Sequence, residues 1–230
     1  MANFILITIL VFLFIIIKRD NFLSDIIGFI HKPNFRKINL STHQKILNVI
    51  KLSVVKFIIS ISMILFFFHG EVSDVKLPLV PSSKNDLFTF IEIIVITPVL
   101  EELAFRYPIR KPAVFLTLPF LPIALKYRYS FIYSMLPIIQ IFISLFLNFK
   151  KFFVLRLFVS NFRLYMYFFA ITFSLLHFKA DEDILISIYF LHFFSAIVYS
   201  WIRVKLGFLY SILAHSNYNF YLWCVAHSVV

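Results

Sequence analysis

Long apolar runs recur along the whole chain, and short connectors between them hold most of the charged residues. Of 230 residues, 61% are hydrophobic and 32 are Phe, which is more apolar surface than a soluble domain of this length is expected to bury. The runs lack the alternation of apolar and polar residues that barrel strands show. Elements that cross a bilayer must also satisfy their own backbone groups, which favours helices. The sequence therefore predicts an all-α protein, folded as a polytopic transmembrane helical bundle.

The positions of the runs predict about seven to eight membrane spans in one integral membrane domain, residues 1–230. The segment Ala113–Leu125 is short and contains two prolines, so it either crosses the membrane or re-enters it. The apolar runs are Asn3–Ile17, Ile46–Phe68, a run that starts near Leu87, Ala113–Leu125, Tyr129–Asn148, Leu164–Phe178, Ile184–Ile202 and Leu206–Ala226.

In a soluble protein, a net charge of +11 would indicate binding to nucleic acid. Here the Lys and Arg residues lie in the connectors, where they are expected to set topology against an anionic membrane face. We therefore expect a multi-pass protein of the cell membrane, with the lipid bilayer as a partner and no nucleic acid. Cys224 is the single cysteine, which excludes an intrachain disulfide framework and a cysteine-based metal site.

One charged stretch, Glu101 to Arg106, interrupts the third apolar run. On a helix Glu102 and Arg106 are four residues apart and can pair, whereas Glu101 points about 100° away from them. Ionised groups in a membrane helix cost roughly 3 kcal/mol each, so a functional role is the default hypothesis. The spacing predicts that Arg106 neutralises Glu102 and that Glu101 is free for chemistry.

Polar side chains in the last runs supply further candidates. Phe173 and His177 are four residues apart, as are His215 and Asn219, so each pair lies on one face of a helix. A His beside Glu101 can share a water molecule with it, and a His with an Asn can donate hydrogen bonds to an oxyanion. The alternative is that these side chains only join helices by hydrogen bonds. His192 is interpreted as structural.

The motifs EExxxR, FxxxH and HxxxN occur in that order, and together they resemble the signature motifs of the CPBP intramembrane proteases, which include the type II CAAX prenyl endopeptidases and proteins linked to bacteriocins. The resemblance covers a core of about residues 87–226. It implies that Glu101 and His177 activate a water molecule and that His215 and Asn219 hold the oxyanion. The resemblance also implies that Glu102 and Arg106 support the site, and Phe173 belongs to the second motif.

The predicted function is therefore an endopeptidase of the CAAX prenyl protease type, acting on a protein or peptide at the membrane. No cofactor is expected; zinc held by Glu101, His177 and His215 is the less favoured option, since no HExxH motif is present. The alternative is a non-enzymatic protein of the same fold that serves in bacteriocin self-immunity or as a scaffold. A proton-coupled transporter also fits buried ionisable groups, but the runs contain few other polar residues for a path.

Overall fold

The computed structural model describes residues 21–34, 36–67, 87–107, 109, 156, 158–177 and 186–228. Helices are the main regular structure in these ranges, which contain no strand, so the all-α prediction is confirmed for them. Three predicted runs, Asn3–Ile17, Ala113–Leu125 and Tyr129–Asn148, lie outside the described residues. The α-helices are α1 (Asn21–His31), α2 (Thr42–Phe67), α3 (Leu87–Ile91), α4 (Thr97–Phe105), α5 (Phe162–Leu176), α6 (Ile186–Lys205) and α7 (Phe208–Ser228).

The prediction of seven to eight membrane spans is wrong. Over the described ranges, no helix combines the length and the apolar character that crossing a bilayer requires. Helix α5 has 15 residues, about 22 Å at 1.5 Å per residue, against a hydrocarbon core of about 30 Å. The longer helices α2 and α7 are interrupted by polar residues, among them Lys51 and Lys56 in α2 and His215 in α7. The predicted multi-pass location in the cell membrane is corrected by the same finding.

Helices α5, α6 and α7 build the main packing core together with α2. Helix α6 packs against α5 on one side and α7 on the other, and α7 also packs against α2 and α4. The most deeply buried large side chains come from four of the helices, α1, α4, α5 and α6, and include Phe29, Phe105, Met166, Phe173, Ile197 and Trp201. This packing holds α4, the end of α5 and the first half of α7 close to one another.

The chain from Leu87 to Phe105 stays helical but changes its hydrogen-bond register. Between α3 and α4 the five residues Glu92–Ile96 form a π segment, and the flanking residues Ile91 and Thr97 keep right-handed helical dihedrals. Pro98 follows at the start of α4. Such π segments are frequent at functional sites, and this one lies directly before the charged stretch.

A tight turn joins α6 to α7. The N–H groups of Leu206 and Gly207 both donate to the carbonyl of Ile202, and Gly207 has a φ of +126°, a conformation that glycine adopts without a steric penalty. The turn reverses the chain, so that Tyr199 of α6 lies against His215 of α7, with 4.7 Å between the ring centroids.

The N-terminal part of the described chain is fastened to the end of α6. Trp201 Nε1 donates to Asp25 at 3.0 Å, and Lys205 Nζ donates to Asn34 Oδ1 at 3.0 Å. The N–H of Ile38 donates to the Lys205 carbonyl at 3.2 Å. We call these contacts the N-terminal clasp, and they cover one end of α6.

Candidate active site

The innermost part of the site is a pair of opposite charges on α4. Glu102 Oε1 and Arg106 Nη1 are 3.5 Å apart, and the side chains are 0% and 1% exposed. The pairing predicted from the spacing is therefore present in the structure. Because both groups are withdrawn from water, each depends on the other for neutralisation, which suits a supporting role.

Glu101 lies on the more accessible side of this pair, between two histidines. Its Oε1 is 3.5 Å from His177 Nε2, and its Oε2 is 3.7 Å from His215 Nε2. The His177 side chain is 27% exposed and that of Glu101 is 11% exposed. The three side chains come from α4, the end of α5 and α7, so the fold brings together residues up to 114 positions apart in the sequence.

The backbone fixes which nitrogen of His177 carries hydrogen. His177 Nδ1 is 2.8 Å from the carbonyl oxygen of Phe173, and a carbonyl oxygen only accepts, so Nδ1–H is the donor. In the neutral ring Nε2 is then an acceptor, directed at Glu101. FxxxH is thus a local unit in which the side chain of the fifth residue donates to the carbonyl of the first.

The carboxylate of Glu102 orients His215 in the same way. His215 Nδ1 is 3.2 Å from Glu102 Oε1, so Nδ1–H donates to that carboxylate. The Nε2 atom of the neutral ring becomes an acceptor facing Glu101 Oε2. Sequence spacing assigned Glu102 to Arg106 alone; in the structure its Oε1 also contacts His215, which links the first motif to the third.

Several hydrogen-bond acceptors therefore converge at Glu101. Its Oε2 is buried and has no hydrogen-bond partner among the described residues, and the nearby His215 Nε2 is an acceptor as well. Acceptors of this kind require a donor, and the O–H groups of a water molecule suit them. The arrangement offers the hydrogens of a water molecule two acceptors, Glu101 Oε2 and His215 Nε2.

The electrostatics separate the two histidines. Burial tends to raise the pKa of Glu101, but the charge of His177 and its hydrogen bond, with His215 and Arg106, lower this pKa to about 2. Burial tends to lower the pKa of His177, but the Glu101 charge and hydrogen bond outweigh it, and this pKa is raised. Burial dominates at His215 and lowers its pKa. The proton is therefore held by His177 in preference to His215.

Aromatic rings pack around the charged residues. The guanidinium carbon of Arg106 lies 4.0 Å from the ring centroid of Phe173, a cation–π contact that helps to stabilise a charge away from water. The ring of His192 stacks on that of His177 at 4.3 Å. His192, interpreted as structural from the sequence, thus packs directly against a site residue.

Sequence reasoning missed one cation behind the site, Lys56 of α2. Its Nζ donates a hydrogen bond to the hydroxyl of Tyr199 and lies 3.4 Å from the ring centroid of Tyr218. Burial, followed by the charge of Arg106, lowers the pKa of Lys56 well below its usual value. Since Tyr199 stacks on His215, Lys56 contacts the ring that supports this histidine. No motif marks Lys56, and only the packing of α2 against α6 and α7 identifies it.

Asn219 lies one helical turn after His215 and is 8% exposed. Its Nδ2 donates to the carbonyl of Ile93 in the π segment at 2.9 Å. The structure therefore places Asn219 on the same face of α7 as His215, as the spacing predicts, and engages one of its two amide hydrogens. The oxyanion role that the resemblance implies stays a prediction.

Within the ranges that the structure describes, no group of three or more His, Cys, Asp and Glu side chains is arranged to hold a metal ion. Metal-free chemistry stays a prediction, and zinc at Glu101, His177 and His215 stays its alternative.

Comparison of the chain with models of protein families, with curated proteins and with solved structures finds no match. The resemblance to the CPBP proteases therefore depends on the three sequence motifs alone.

Proposed function

We propose that the protein is an endopeptidase that hydrolyses a peptide bond with a water molecule activated by Glu101 and His177. The observation that supports this most strongly is the buried Oε2 of Glu101, which has no hydrogen-bond partner within the described part of the chain and lies beside the acceptor His215 Nε2, where a water molecule can donate. General bases must lie within hydrogen-bond reach of the proton that they remove, directly or through one water. The substrate class is a protein or peptide.

In the reactive state Glu101 is a carboxylate and His177 is neutral. The water oxygen attacks the carbonyl carbon of the scissile bond, and its proton passes to the Glu101–His177 pair. With a pKa of about 2, Glu101 alone is a weak base, so the proton is held on His177 and the carboxylate stabilises the resulting imidazolium. When the carbon–nitrogen bond breaks, the same proton passes to the leaving amine. The products are a carboxylic acid and an amine.

The oxyanion of the intermediate is assigned to the His215 side of α7, as the resemblance implies. Asn219 can donate to the oxyanion the amide hydrogen that is not used at Ile93. His215 Nε2 faces Glu101 and is an acceptor in the neutral ring that its lowered pKa favours, so a donor role for it requires a proton taken up as the oxyanion forms. Glu102 and Arg106 orient His215 from behind. Removing one oxyanion donor typically costs about 10²–10³ in kcat.

The test is cleavage of a quenched fluorescent peptide library by the purified wild type and by Glu101→Gln. Glu92→Gln is the matched control, because Glu92 belongs to the preceding π segment but is exposed. We expect cleavage by the wild type and by Glu92→Gln, and loss of cleavage in Glu101→Gln.

A chelator arm separates the two chemical options. Cleavage that persists with chelator supports activation of water by Glu101 and His177, whereas loss on chelation that zinc restores supports the metal alternative. Equal cleavage by wild type and Glu101→Gln contradicts the proposal. Absence of cleavage by any folded variant favours the non-enzymatic alternative, self-immunity or scaffolding.

A further inference from the structure

Pro98 and the π segment leave a backbone carbonyl without its usual donor. In the π register the N–H of Thr97 donates to the carbonyl of Glu92, five residues earlier. In the same register the donor to the Ile93 carbonyl would be the N–H of residue 98, but residue 98 is a proline and has no N–H. The α-helical donor to Ile93 would be Thr97, which is already engaged at Glu92. Neither Thr97 nor Pro98 of the same helix can therefore donate to the Ile93 carbonyl.

A side chain from another helix takes the place of the missing donor. Asn219 of α7 donates its Nδ2–H to the Ile93 carbonyl at 2.9 Å. Buried backbone carbonyls are almost always paired, and the amide of Asn219, itself 8% exposed, supplies this pairing. A structural requirement at Ile93 thus explains why a donor is needed at position 219.

The bond joins two helices that also meet at the site. One turn before Asn219 on α7, His215 contacts Glu101 and Glu102 of α4. These two attachments lie about two turns apart on the helical segment that begins with the π segment. Together they fix the rotation of that segment relative to α7. With the Ile93 attachment alone removed, that segment can rotate and carry the Glu101 carboxylate away from the histidines.

We propose that Asn219 is a positioning residue, which holds the π segment against α7 and thereby sets Glu101 opposite His177 and His215. The hydrogen bond itself does not depend on the proposed hydrolase activity; only its effect on catalysis rests on that function. Asn219 then acts before substrate binds, whereas a residue that only holds an oxyanion acts when substrate is present.

The test compares Asn219→Leu with Asn217→Leu, a control on the same helix. Histidine ring signals are followed by NMR as a function of pH in the substrate-free protein. Loss of the Ile93 bond is expected to lower the pKa of His177, since Glu101 moves away from it, and Asn217→Leu is expected to leave the titration unchanged. An unchanged titration in folded Asn219→Leu overturns the proposal.

A second measurement uses the wild type and does not depend on the folding of a variant. The side-chain amide of Asn219 should exchange with deuterium more slowly than that of Asn217, because one of its hydrogens is bonded to a backbone carbonyl. Equal exchange overturns the proposal.

Cleavage assays give the catalytic consequence. A displacement of about 1 Å costs on the order of 10²-fold in rate, similar to the loss of an oxyanion donor, so the histidine titration and not the rate decides between the two roles. If no variant cleaves peptide, the proposed function fails, while the NMR and exchange results still test the position of Asn219.

Discussion

Replacing Arg106 with Met tests whether the buried charge pair supports the site. Met has a similar reach and no charge, so the change leaves the Glu102 carboxylate, 0% exposed, with His215 Nδ1 as its remaining partner at 3.2 Å. It also removes the contact between the guanidinium and the ring of Phe173. Arg106→Met should therefore destabilise the folded protein strongly.

The magnitude follows from the burial of both partners. Removing one partner of a buried ion pair costs about 3–5 kcal/mol, because the other charge is left uncompensated. For a chain of this size each kcal/mol lowers Tm by about 2–4 °C, so we expect a fall of about 6–20 °C. The loss of the cation–π contact is included in this range, since the two effects share one side chain and do not add independently.

The assay is thermal and denaturant unfolding followed by circular dichroism, with Arg163→Met as control. Arg163 is exposed on α5, and its replacement should change the free energy of unfolding by less than about 0.5 kcal/mol. Replacing both Arg106 and Glu102 with apolar residues should be less harmful than Arg106→Met alone, because no unpaired charge remains at that pair. A cost below about 1 kcal/mol for Arg106→Met would show that the pair is hydrated, and the reasoning would be refuted.

Three further predictions concern the same helix and its neighbours. Cleavage by the wild type should rise with pH through the raised pKa of His177. In Glu101→Gln any residual cleavage should begin at lower pH, because the charge that raises the pKa of His177 is gone. An unshifted pH profile would contradict the role of His177 as the group that takes the proton. Against the effect of burial, the charge of His177 lowers the pKa of Glu101 from 4.5 to about 2 on folding. The resulting stabilisation, about 3 kcal/mol, should be present between pH 4.5 and the raised pKa of His177 and be lost as pH falls towards 2. Unfolding measured against pH should show this loss for the wild type and not for Glu101→Gln. In Pro98→Ala, residue 98 regains an N–H that can reach the Ile93 carbonyl. Asn219→Leu should therefore lower the free energy of unfolding less in Pro98→Ala than in the wild type, as measured by a double-mutant cycle. An equal cost in both would contradict the proposal that Pro98 leaves the Ile93 carbonyl without a donor.

The sequence predicted the local part of the site because helical periodicity specifies which residues share a face. The pairing of Glu102 with Arg106 followed from their spacing, and the meeting of Glu101 with His177 and His215 followed from the resemblance. Contacts between helices are not encoded in that periodicity. The bond from Asn219 to Ile93 and the position of Lys56 beside Tyr199 depend on which helices are neighbours, and no spacing in the chain reveals them.

The error over membrane spans has a related physical cause. Each apolar run predicted a span, whereas crossing a bilayer depends on the length and hydropathy of the helix that forms. In α2, Lys51 and Lys56 interrupt the apolar residues, and in α7 His215 and Asn219 do so. Some of the polar residues that form the candidate site therefore also lower the hydropathy of α2 and α7.

The N-terminal clasp joins residues outside the three motifs to the helix that supports the site. Trp201 is fully buried, and Asp25 accepts its indole hydrogen bond, while Lys205 depends on Asn34 and Asp25 for polar partners. A chain trimmed to residues 87–226 would lose these partners and expose the end of α6, the helix that places Tyr199 against His215. We therefore expect residues without any motif to belong to the smallest piece of this chain in which the site can form.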